Sequence, residues 1–169
     1  IFAVGVIIIV TILGILASLA SNNIGDTQRL AARLLATQDI ANSAIPNIKS
    51  SQLRGMNSSL DIFLTNTIRD ATPILAKNNI NINKLNKNVT AAESDANTLA
   101  TLNDARLNAI YDRIYAGEMA HQLDITIILM QQIYKNTGDS SLKNFLSNAY
   151  QSLQPTQKQF ADFNATDDD

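Results

Sequence analysis

The sequence predicts an all-α protein in which an N-terminal transmembrane helix is followed by an extramembrane up-and-down helical bundle. Residues 1–20 carry no charged side chain. Beyond them, apolar residues recur at spacings of three and four, as in helices that bury one face. The alternation of apolar and polar residues that indicates strands is nearly absent, and "NININ" (79–83) is the one convincing local case.

The first apolar run is long enough to cross a bilayer. A helix of 20 residues is about 30 Å long, which matches the hydrocarbon core. A signal peptide is the alternative, because Ser18 and Ala20 are small residues at the spacing that signal peptidase prefers, and cleavage would then precede Ser21. The run exceeds the usual apolar region of a signal peptide, so residues 1–21 are predicted to be a retained anchor.

The amino-acid composition of the chain limits the classes of partner and of site that it could have. The chain has 169 residues, 13 basic and 15 acidic, and a net charge of -2. This balance predicts no long-range attraction to nucleic acid or to anionic lipid. The absence of cysteine excludes disulfides, thiolate metal sites and cysteine nucleophiles.

The rest of the chain divides into a linker with a first helix (22–49), a bundle (50–163) and an acidic tail (164–169). In the first part, Gly25 offers an end for the anchor and Asp26 a cap for a helix over about 27–45. A second helix approaches Pro73, which is expected to kink or close it. An ordered crossover follows, with Ile80, Ile82 and Leu85 turned inward.

Two further helices are expected after the crossover, which gives about four outside the membrane. Thr90 and Glu93 have the spacing of a capping box. The long helix that they would begin has one apolar stripe: Leu99, Leu102, Leu107, Ile110, Ile114, Met119, Leu123, Ile127 and Met130. Gly138 ends this helix, Asp139 caps the last one, and the last apolar face is expected to stop before Pro155.

A metal site is the first chemistry to weigh. Glu118 and His121 in "GEMAH" lie at i and i+3 of a helix, and di-iron bundles take such a pair from each of two helices plus two further carboxylates. His121 is the only histidine, and Glu93 is the only other glutamate. The ligand set is therefore short, and a polar face or an interface contact is the predicted role of the pair.

Catalytic and ligand-binding patterns are weak. The aromatic residues could form a ligand pocket, but aromatic side chains at helical spacing more often anchor a core or an interface; they are Tyr111, Tyr115, Tyr134, Phe63, Phe145 and Phe160. The chain has no glycine-rich phosphate loop and no nucleophile elbow. No enzyme activity and no cofactor are predicted.

The second half of the chain resembles a known bacterial family. The residues concerned are "YDRIY" (111–115), His121 with Gln122, and "TGDSSLKNFL" (137–146). They are similar to the family called domain of unknown function 4142, over roughly residues 50–163. The resemblance implies a secreted or periplasmic, ferritin-like helical bundle that has no established activity.

The N-terminal run resembles the first helix of type IV pilins, through "ILGILASLA" with Gly14. In pilins the fifth residue is normally a glutamate that pairs with a neighbouring subunit's terminal amine, and here it is Gly5. Gly5, Gly14 and Ala17 are also small residues that let another transmembrane helix approach closely. Lipid contact alone is the alternative role for all three.

The sequence thus predicts a non-enzymatic, membrane-anchored, extracytoplasmic bundle. Its expected role is that of a structural or accessory subunit of a larger membrane complex, with membrane lipid and that complex as partners and without nucleic acid. A pilin-like subunit that self-associates into filaments is the first alternative. A degenerate ferritin-like bundle that binds a metal or a small ligand is the second.

Overall fold

The described part of the chain is entirely helical. A computed structural model describes residues 25–166, with side chains for residues 25–163. It contains helices α1 (Asp26–Ala44), α2 (Ser51–Lys77), α3 (Lys87–Ala92), α4 (Ala96–Leu107), α5 (Tyr111–Asn136) and α6 (Ser140–Thr166), and a 3₁₀ turn at Ile82–Lys84. No strand occurs between residues 25 and 166, and "NININ" overlaps the 3₁₀ turn instead.

Four long helices form the walls of the bundle. α1 packs on α2, α2 on α6, α6 on α5 and α5 on α1, so the ring closes around one apolar core. Its largest fully buried side chains include Leu34, Leu60, Met119, Leu146 and Leu153, which come from all four walls. The prediction of an all-α bundle is confirmed for these residues, and α1 belongs to the same core as the later helices.

The connection between the walls differs from a simple up-and-down bundle. Asp112, at the start of α5, accepts hydrogen bonds from the backbone N–H groups of Lys49 (3.0 Å) and Ser50 (2.6 Å), at the start of α2. α2 and α5 therefore run parallel, and residues 78–110 must return along the length of the bundle between them. α3 contacts α1 and α4 contacts α5, so this crossover covers the α1–α5 face.

The long helix predicted from Thr90 is three segments. α3 ends at Ala92, and Ala109, with φ 59°, interrupts the chain between α4 and α5. Because the break rotates α4 out of register with α5, Leu99, Leu107 and Ile110 of the predicted stripe are exposed, Leu107 by 68%. The capping box is also wrong, because Glu93 follows α3 and its side chain turns to α1.

Neither internal proline ends its helix. Pro73 lies inside α2, which continues to Lys77, and Pro155 lies inside α6. The last apolar face therefore continues past Pro155 to Phe160 and Phe163, which are buried. The predicted Asp139 cap is confirmed, since its carboxylate accepts from the N–H groups of Ser141 and Leu142.

No helix within residues 25–166 has the length and hydropathy needed to span a membrane. The predicted anchor at residues 1–21 lies outside the described residues, together with its packing residues Gly5, Gly14 and Ala17.

Candidate functional site

The most unusual site of the described chain is a buried ionic cluster beneath the crossover. Glu93, which is 2% exposed, sits between two arginines of α1. Arg29 Nε donates to its Oε1 at 2.8 Å, and Arg33 Nε donates to its Oε2 at 2.9 Å. Arg29 and Arg33 are one helical turn apart, so both guanidinium groups reach the same carboxylate.

The cluster extends to α4 and α5 through neutral groups. Arg33 Nη1 donates to Gln122 Oε1, Gln122 Nε2 donates to Thr98 Oγ1, and each distance is 2.9 Å. Thr98 Oγ1 then donates to Glu118 Oε2, again at 2.9 Å. This chain of bonds joins α1, the α3–α4 connection, α4 and α5, so we call it the crossover network: Arg29, Arg33, Glu93, Thr98, Glu118 and Gln122.

The crossover network fixes the position of the crossover. An isolated buried charge is strongly disfavoured, whereas a paired and hydrogen-bonded one is tolerated. Glu93 therefore holds the end of α3 against α1, and Thr98 holds the first turn of α4 against α5. The charged and amide groups of the crossover network bond mainly to each other.

Asp95 is the group that the crossover network does not satisfy. Its Oδ2 is buried without a hydrogen-bond partner, and it precedes α4 without capping it. Burial is the largest effect on this carboxyl and raises its pKa to about 6, with Arg33 opposing the shift and Glu93, Asp39 and Glu118 adding to it. The folded protein thus holds a proton on Asp95 at a pH where the unfolded chain has lost it.

We expect Asp95→Asn to stabilise the protein at pH 7 to 8. The folded-state pKa lies above the unfolded value, so the folded chain binds more protons between about pH 4 and 6, and this group's contribution to stability falls as pH rises through that window. Allowing for partial exposure, the gain above pH 7 should be about 1 kcal/mol. Urea unfolding of both proteins at several pH values measures it, and a gain that persists unchanged at pH 4 would contradict this origin.

Glu118 and His121, the metal candidates, do not converge on a common site. Glu118 is partly buried and accepts from Thr98, while the side chain of His121 is exposed. Within residues 25–163, no group of three or more histidine or carboxylate side chains is arranged to hold a metal ion. A spacing of three residues would allow both side chains to lie on one side of α5, but Glu118 turns to Thr98 of α4 and His121 lies in solvent.

The aromatic candidates are mostly core residues. Tyr115 is fully buried, stacks on Tyr111 with ring centroids 5.9 Å apart, and meets Phe160 edge to face at 6.1 Å. Its hydroxyl donates to Asn57 Oδ1, and Asn57 Nδ2 donates to the Ala41 carbonyl at 3.0 Å. Phe145 is buried and Phe63 is partly buried, whereas Tyr134 is exposed.

No local pattern in the sequence indicates the crossover network. Arg29 and Arg33 match no local motif, because the partners that they bond to across the bundle lie 60 to 89 residues away along the chain. The available signal was the presence of two arginines one turn apart on a helix with an apolar face. Comparisons of the chain with protein families, curated proteins and solved structures find no match.

Proposed function

We propose that the protein is a non-enzymatic, membrane-anchored helical bundle that acts as a structural or accessory subunit of a larger membrane complex. In this proposal the bundle lies on the extracytoplasmic side, residues 1–21 supply the anchor, and the bundle supplies a rigid packing body. The uncharged sequence of residues 1–20 supports the anchor.

The main support for a packing role is that the interior of the bundle is filled. The apolar void between α1, α2 and α6, beside Leu30, Leu75 and Phe145, is about 10 Å³, which is about the least space that one water needs. The buried charges around Glu93 are paired within the crossover network. A bundle with a filled interior is suited to binding partner proteins through its surface rather than to chemistry inside its core.

The order in which the four long helices are connected favours the resemblance to a ferritin-like bundle. Two antiparallel helix pairs joined by one long crossover are the connectivity of ferritin-like folds. Here the pairs are α1 with α2 and α5 with α6, and residues 78–110 form the crossover. This connectivity supports a ferritin-like bundle.

We expect Gly14→Leu to weaken recovery of the full chain within a larger complex. Enlarging a small residue separates transmembrane helices and removes van der Waals contact that lipid does not replace. Native purification in mild detergent, followed by size analysis, measures this. Ile8→Leu conserves volume and serves as the matched control, with unchanged recovery expected.

Three outcomes of that experiment have different meanings. Normal co-purification of Gly14→Leu protein would show that the segment is only a tether. A chain that fails to associate with detergent or lipid would overturn the anchor. Self-association into fibres would favour the pilin-like alternative, in which Gly5→Glu should be tolerated or favourable, because pilins normally carry a glutamate at this position.

A further inference from the structure

One end of the bundle gathers four helix termini. Asp26 at the start of α1 accepts a hydrogen bond from Gln132 near the end of α5, at 3.1 Å. Thr27, Leu75 and Leu142 line one apolar void, which brings the end of α2 and the start of α6 to the same place. Gly25, the first described residue, therefore lies at this end.

Five lysines lie at or beside this end, and we call them the basic end: Lys77, Lys84, Lys87, Lys135 and Lys143. Lys77 closes α2 and interacts with Asp139, and Lys135 is one turn beyond Gln132. Lys143 Nζ lies 5.6 Å from the centre of the exposed Tyr134 ring. Lys84 and Lys87 enter the crossover where the 3₁₀ turn packs on α1 and α2 and where α3 packs on α1.

The charge is therefore separated along the molecule. The carboxylates at this end are Asp26, Glu93 and Asp139, and Arg29 is a further cation here because it pairs with both Asp26 and Glu93. The backbone N–H groups of Leu142 and Ser141 lower the pKa of Asp139, so it is ionised. Five lysines and Arg29 against these three carboxylates leave an excess of three positive charges here. Residues 25–163 contain 13 basic and 12 acidic residues, a net charge of +1, so the rest of this described part carries a net charge of about -2.

This separation changes the expectation drawn from composition. The overall balance predicted no attraction to anionic lipid, but net charge contains no information about where the charges lie. The fold brings together lysines that are up to 66 residues apart in sequence, from Lys77 to Lys143.

We propose that the basic end is a docking surface for the anionic headgroups of a membrane. The charges are complementary, and Gly25 at this end directly follows the segment that contains the uncharged residues 1–20. Tyr134 adds an exposed aromatic ring beside Lys143, and tyrosine is enriched at the interface of membranes. The inference rests on the proposed attachment and adds an orientation: the bundle stands with α2 and α5 pointing their C-termini at the lipid.

The expected effect is large enough to measure. A lysine close to an anionic surface shifts the contact equilibrium by about fivefold, and salt weakens it within a Debye length. Replacing three of the five lysines should therefore reduce contact by up to a factor on the order of one hundred.

The experiment uses the full chain with one label. Since the chain has no cysteine, Asn136→Cys at the basic end or Ser51→Cys at the opposite end gives a unique site for a fluorophore. Vesicles of phosphatidylcholine, with or without phosphatidylglycerol, carry a quencher on the headgroup. We expect quenching at Cys-labelled position 136 to rise with phosphatidylglycerol and to fall with salt, and quenching at position 51 to stay low.

A matched pair of variants isolates the position of the charge. Lys77, Lys84 and Lys87 changed to Gln should abolish the response to phosphatidylglycerol. Lys49, Arg106 and Lys158 changed to Gln alters net charge equally but removes cations near the other end, since Lys158 lies about 27 Å along α6 from Ser140. This control should respond like the parent, and equal loss in both variants would overturn the inference.

Flotation separates this inference from the proposed anchor. A chain that floats with phosphatidylcholine vesicles but shows no lipid-dependent quenching is anchored without using the basic end. A chain that floats only with anionic vesicles, in a salt-sensitive way, lacks the anchor and still docks through the basic end. Inorganic phosphate could also displace the chain from the vesicles more strongly than chloride does at equal ionic strength. That result would assign the lysines to binding of a free anion and would overturn membrane docking.

Discussion

Glu93→Ala should destabilise the protein by about 3 kcal/mol. The substitution leaves Arg29 and Arg33 without the carboxylate that both bind, and their side chains are only 15% and 12% exposed. Arg29 keeps its pair with Asp26 at 3.3 Å, whereas Arg33 keeps its bond to the neutral Gln122. An uncompensated charge in such a position costs several kcal/mol, in contrast to an ion pair at the surface. Urea unfolding followed by circular dichroism measures the change, and hydrogen exchange should show the largest loss of protection in residues 87–107.

Two further proteins test the cause. Asp162→Ala removes the ion pair between Asp162 and Lys158, in which the Asp162 side chain is 61% exposed and the Lys158 side chain 73% exposed. This substitution should change the free energy of unfolding by less than about 0.5 kcal/mol. Replacing Glu93 by Leu and both arginines by Met removes Glu93 together with the two guanidinium groups that bind it and should recover much of the loss, because the cost lies in the unpaired charges. Equal destabilisation by Asp162→Ala and Glu93→Ala would argue against a buried role for Glu93.

Phe160→Ala should cost about 3 to 5 kcal/mol. Phe160 is fully buried and its ring meets that of Tyr115 at 6.1 Å, so truncation removes apolar contact and leaves a cavity in the core. The result also tests the length of α6, because Phe160 follows Pro155, where the sequence alone predicts the end of the last apolar face. The midpoint and slope of urea unfolding measure the loss.

Gln159→Ala is the matched control for this prediction. Its side chain is exposed on the same turn of α6, so the change should stay within about 0.5 kcal/mol. If α6 ended near Pro155, Phe160 would belong to a solvated tail, and both substitutions would be nearly silent. If Phe160→Ala left the free energy of unfolding unchanged, the end of α6 would lie near Pro155.

Local patterns were enough to predict the helices and several of their ends. Apolar residues three and four apart, such as Leu60 and Leu64, identify a buried helical face because the period of the helix is fixed. Asp139 identifies the start of α6 because its carboxylate bonds to N–H groups two and three residues later. Both signals act within one or two turns, so the sequence contains them directly.

The breaks and continuations of helices depended on the tertiary structure. A proline only removes one N–H group and crowds one turn, and Phe160 and Phe163 bury enough surface beyond Pro155 for α6 to continue. Conversely, nothing within a turn of Ala109 requires a break. The break follows from the need to bring α4 back along α5 and then begin α5 beside Ser50.

By itself the sequence determined that the chain is a helical bundle preceded by an uncharged run, because composition and a fixed period carry that information. The tertiary structure decided which distant charges meet. In the sequence Glu93 matches only the spacing of a capping box, whereas the fold places its Oε1 2.8 Å from Arg29 Nε. Five lysines that are far apart in sequence form one surface only because the ends of α2 and α5 and the start of α6 converge. Electrostatic interaction depends on distance in space, and the fold sets those distances independently of separation along the chain.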